Sequence, residues 1–78
     1  MQKSIHSREY RAFLGLLREA RERAGLTQED LAKRLGESQS FISKCERGER
    51  RLDVVELRAF LRAMGASLVA FARRLDGE

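Results

Sequence analysis

Residues 28–47 read QEDLAKRLGESQSFISKCER, and this stretch decides the fold. Its pattern predicts two short helices joined by a tight turn. Thr27 N-caps the first helix, and Asp30 three residues on gives a near capping box. Leu31, Ala32 and Leu35 then fall on one face. Gly36 stands where the helix must stop, because a left-handed C′ residue costs least without a Cβ. Ser38 caps the second helix, whose inward residues are Phe41, Ile42 and Cys45. The small Ala32 lets the two helices cross closely, as in a helix-turn-helix motif.

Turning the second helix at 100° per residue places Gln39, Ser40, Ser43, Lys44 and Arg47 within an arc of about 140°. Glu46 falls outside that arc, so the outer face carries only hydrogen-bonding and cationic groups. Gln can bond an adenine edge bidentately, Lys can donate to guanine, and Ser can serve base or phosphate. A merely solvated face would more often mix in acids. Double-stranded DNA is therefore the expected partner, with Gln39, Ser40, Ser43 and Lys44 toward the bases. Thr27, Gln28, Ser38, Arg47, Arg50 and Arg51 are the expected phosphate contacts.

The longer run GLTQEDLAKRLGESQSFISKCERGERRL, Gly25 to Leu52, resembles the helix-turn-helix family of phage repressors and Cro, also called the XRE family. The likeness extends over roughly Leu14 to Leu75. Its most specific pieces are Leu26-Thr27-Gln28, Leu31-Ala32, Leu35-Gly36, Gln39-Ser40, Ile42-Ser43 and Glu46-Arg47-Gly48. The resemblance implies an all-α, compact five-helix domain that binds DNA sequence-specifically, usually as a homodimer. It also implies that Gln28 touches phosphate and braces Gln39, which reads a base, with Ser40 and Lys44 as further base contacts. Glu37 and Cys45 depart from the residues the family often carries there.

Working outward, Ser7 caps a first helix running to about Ala24, before Gly25. Tyr10, Phe13, Leu14, Leu17, Ala20 and Ala24 form its buried stripe. Arg21 lies inside that stripe and needs an anionic partner, for which Glu46 is the natural candidate. The resemblance suggests the same pair. Beyond Gly48, Glu49-Arg50-Arg51 reads as a short basic loop anchored by Leu52. Asp53 and Glu56 form an acidic capping-box pair for a fourth helix, with Val54, Leu57, Phe60, Leu61 and Met64 inward and Gly65 at its end. Ser67 caps a last helix, Leu68 to about Leu75, with Leu68, Phe71, Ala72 and Leu75 on one face and Val69 elsewhere. That helix is expected to pack on the core and on a second subunit. Met1 to His6 reads as a loose lead-in to one domain over residues 1–78.

Composition agrees with this reading. The 78 residues include no proline, and 16 basic against 12 acidic side chains give a net charge of +4. An excess of positive charge suits a polyanion. One cysteine permits no internal disulfide, which fits a reducing compartment. No apolar run is long enough for a membrane, and no signal-peptide pattern opens the chain, so a cytoplasmic protein is expected.

No nucleophile–base arrangement, metal-ligand cluster or phosphate-cradling glycine loop is legible, so neither catalysis, a cofactor nor a metal is expected. Two other readings use the same fold. An antitoxin would bind a toxin as well as its own operator, but the chain lacks a disordered toxin-wrapping tail of the usual sort. A pure protein-interaction module has no reason to keep the outer arc free of acids. The expected function is thus a transcriptional regulator, a repressor by preference, with helix 39–47 in the major groove of each operator half-site.

Overall fold

In the computed structural model, which describes residues 7–77, five helices follow one another without a strand. They are α1 (Arg8–Arg23), α2 (Gln28–Leu35), α3 (Gln39–Glu46), α4 (Val54–Met64) and α5 (Leu68–Leu75). The expected lead-in lies outside the described residues.

Local chemistry sets the helix ends. Ser7, Ser38 and Ser67 each accept a hydrogen bond from the backbone N–H three residues on, which satisfies an otherwise orphaned donor. Thr27 with Asp30, and Asp53 with Glu56, close complete capping boxes. At the turn between α2 and α3, Gly36 adopts φ 70° and ψ 30°. That left-handed step lets Glu37 N–H return to the Ala32 carbonyl at 2.9 Å, the long bond of a Schellman motif.

The core draws from every helix. Leu17 of α1, Leu31 of α2, Ile42 and Cys45 of α3 and Leu61 of α4 are fully enclosed. Each such aliphatic side chain stabilises the fold by roughly 1.5–3 kcal/mol. From α5, Phe71 meets Phe13 edge-on at 5.8 Å between ring centres. Ala32 is buried where α2 packs on α3, the small residue that lets them approach. Arg34 of α2 donates to the Ala63 carbonyl at 2.8 Å and ties α2 to the end of α4.

The inward faces differ from expectation at the edges. Ala24 is the C-cap of α1 and is exposed, since the chain is already leaving the helix there. Val54 is 64% exposed because it opens α4, where the first turn projects past the core. Ala72 and Leu75 are exposed as well, because α5 is covered by α1 and α4 on one side only. Together with Val69, 62% exposed, and half-buried Leu68, they make an apolar strip along α5.

Candidate nucleic-acid interface

Four side chains run in series from the core to the outer face of α3. Arg21, only 7% exposed, grips Glu46 with two nitrogens, Nε to Oε2 at 2.7 Å and Nη2 to Oε1 at 3.1 Å. Its remaining nitrogen donates to the Leu26 carbonyl at 2.8 Å, just before α2. The Glu46 carboxylate holds the guanidinium firmly protonated, raising its pKa above the usual arginine value. Glu46 Oε1 also accepts from Gln28 Nε2 at 3.0 Å, and Gln28 Oε1 in turn accepts from Gln39 Nε2 at 2.8 Å.

Direction in this series is fixed by its inner end. A carboxylate only accepts, so Gln28 must present its NH₂ to Glu46 and its oxygen to Gln39. Gln39 therefore donates one amide hydrogen inward. Its oxygen and its other hydrogen take no part in that bond. An adenine edge needs one acceptor and one donor of this kind, for N6 and N7.

Gln39, Ser40 and Lys44 are exposed on α3, and Ser43 is half-buried. Thr27, Gln28 and Gln39 share a shallow polar depression with Arg21, Leu26 and Glu29. The hydroxyls of Thr27 and Ser38 serve as cap acceptors, which leaves each hydroxyl proton for another acceptor.

The basic loop is more engaged than its sequence implied. Arg47, the C-cap of α3, bonds the Ser43 hydroxyl and both carboxylate oxygens of Glu49, at 2.8 and 3.3 Å. Arg50 bonds Glu56 and the Arg51 carbonyl, each at 2.7 Å, and lies 5.1 Å above the Phe41 ring. Arg51 stands 4.6 Å over the ring of Tyr10 in α1. The six expected phosphate residues thus do not form one continuous set: Arg50 and Arg51 are drawn onto different helices. The face is not free of acids either, because Glu49 enters it from the loop. Gly48, at φ 81°, turns the chain so that Glu49 N–H reaches the Lys44 carbonyl at 2.9 Å and its side chain returns to Arg47. Arg47 and Arg50 respectively pull the Glu49 and Glu56 carboxyls below the usual carboxylate range. The alternation of acid and base in Arg47-Gly48-Glu49-Arg50 was the available signal for this pairing.

Cys45 packs on the inward face of α3 with no exposure, and burial pushes its thiol pKa up. Among the described residues, no group of side chains is arranged to hold a metal ion, and no helix is long and apolar enough to cross a membrane.

A short capped helix, a glycine turn and a second helix held by a buried ion pair define a helix-turn-helix domain. Residues 17–71 match the family model described as Helix-turn-helix. The chain is 39% identical over 56 residues to the uncharacterized HTH-type transcriptional regulator y4dJ of Sinorhizobium fredii, covering 72% of this chain and 73% of that protein. Its fold matches an XRE-family like protein from Pseudomonas syringae pv. tomato with a TM-score of 0.86 and 51% identity, over 95% of this chain and 90% of the other. It also matches the restriction-modification controller protein C.Esp1396I, solved as a tetramer on its natural 35 base-pair operator. There the TM-score is 0.80 and the identity 28%, over 91% and 93% of the two chains. The chain belongs to the helix-turn-helix family of XRE, or Cro/C1, type.

Proposed function

We propose that this chain is a sequence-specific, non-catalytic transcription regulator of the cytoplasm, binding double-stranded DNA as a homodimer. The observation that carries the reading is the series Arg21–Glu46–Gln28–Gln39, which fixes the amide of Gln39 on the outer face of α3. Holding that amide in place lowers the entropy lost when it meets a base. Gln39, Ser40, Ser43 and Lys44 read base edges, while Thr27, Gln28, Ser38 and Arg47 hold the adjoining backbone, with Arg50 and Arg51 at its margin. The controller protein bound to its operator supports DNA as the partner and more than one subunit per site. Repression follows if the occupied site overlaps a promoter.

Selection of bound fragments from a random DNA pool is the test. The expected result is an enriched motif, bound at least about 10³-fold tighter than scrambled DNA. A selected pool that is indistinguishable from the input, with equal affinity for both DNAs, refutes sequence-specific binding.

A further inference from the structure

We infer that Glu49 is a built-in phosphate surrogate that holds Arg47 in the free protein and so attenuates binding to DNA of any sequence. The inference rests on the DNA-binding reading above and adds a residue to it. The carboxylate receives two nitrogens of Arg47, the same bidentate geometry a phosphate would accept. Arg47 stands at the C-cap of α3, on the arc that carries Gln39 and Lys44, and a third bond joins it to Ser43 of that arc. Glu49 cannot drift away easily, because the left-handed Gly48 and the bond from Glu49 N–H to the Lys44 carbonyl fold the loop back onto the helix end.

A phosphate reaching Arg47 must displace Glu49. The carboxylate then remains beside the DNA backbone as an unpaired negative charge, which draws back a cation. Part of the counterion release expected from one arginine–phosphate contact is thereby cancelled, and the salt dependence is shallower than the cationic side chains suggest.

The test is a two-by-two set: the native chain, Glu49→Gln, Arg47→Ala and the double variant. Each is titrated with selected and scrambled duplexes from about 50 to 200 mM salt, the range over which phosphate contacts register. Both side chains are more than half exposed, and equal melting temperatures of the four proteins are the control for folding. Glu49→Gln is expected to tighten both duplexes alike, roughly two- to fivefold, the range of an exposed ion pair. The slope of log K against log salt should become more negative by less than one. The affinity gain should shrink when Arg47 is Ala, because no ion pair is then left to break. Weaker or unchanged binding by Glu49→Gln would mean that Glu49 only orients Arg47, and the inference falls. An affinity gain of the same size without Arg47 overturns it too, since it is then a general charge effect. If the native chain binds neither duplex, the regulator reading itself fails, together with this one.

Discussion

Gln39 donates its amide to Gln28 at 2.8 Å across the turn, so the residue proposed to read a base is oriented by the helix that precedes its own. Gln28 is oriented in turn by Glu46. The outer face of α3 is therefore coupled to the buried ion pair by hydrogen bonds, each with a direction set by the one before it.

Removing the middle of this series should separate reading from holding. Gln28→Ala frees Gln39 and deletes one amide donor to the Glu46 carboxylate, so stability should fall by about 1.5–3 kcal/mol, the range of a hydrogen bond to a charged group. Discrimination at the base pair read by Gln39 should weaken by about 1–3 kcal/mol. Competition titrations with single-base variants of the selected site measure this. Full discrimination retained by Gln28→Ala would show that Gln39 needs no brace.

Glu46→Ala leaves the Arg21 charge buried without its partner, at a cost on the order of 3–5 kcal/mol. Exchanging both residues for apolar ones of similar volume should be close to neutral, because two desolvation penalties disappear together. Urea melts of the native chain, the single and the double variant decide the matter. A single variant as stable as the native chain contradicts it.

Lys44 and Arg50 should separate base contact from backbone contact. Lys44→Ala is expected to cost about 1–3 kcal/mol on the selected site and to relax preference at one or two base pairs. Arg50→Ala should weaken all sequences alike. Its salt slope should fall by less than one unit, because Glu56 already neutralises that guanidinium. An altered base preference in Arg50→Ala would reverse the assignment.

The apolar strip of α5 is the expected dimer contact. Two copies joined there would space their α3 helices for half-sites about 34 Å apart. Val69→Glu, at an exposed position, should shift sedimentation toward the monomer and weaken operator binding more than scrambled binding. Unchanged association moves the interface elsewhere.

Stability should depend on acid in a definite direction. Arg50 first, and then the Asp53 N–H, depress the Glu56 pKa, so ionised Glu56 is favoured in the folded state. Its contribution is present above the unfolded glutamate pKa of about 4.3 and is lost as pH falls through the lower folded value. Melting temperature should be flat near neutrality and drop below about pH 4, with a shallower drop in Glu56→Gln. Parallel curves for the two proteins would exclude Glu56 as a source of the loss.

The helix ends were legible because caps are local chemistry: Thr27 with Asp30, Gly36, Ser38, Asp53 with Glu56, and Ser67 act on neighbours within three residues or on their own backbone. The Arg21–Glu46 partnership was legible too, since a cation inside an apolar stripe demands an anion. Val54 and Ala24 were misjudged because periodicity does not register where a helix outruns the surface it packs on. The engagement of Arg47 and Arg50 left only a faint signal, the alternation of acid and base around Gly48, and its geometry was not legible. It depends on how Gly48 redirects the loop, and helical projection says nothing of contacts beyond the end of α3 at Glu46.

Cys45, the sole cysteine, sits fully enclosed on the inward face of α3. A thiol reagent can reach it only when α3 lifts from the rest of the protein, so the alkylation rate becomes a clock for that opening. Bound operator should slow the clock in proportion to the fraction of protein occupied. The native chain thus carries its own reporter of how often α3 comes loose, with no engineered probe.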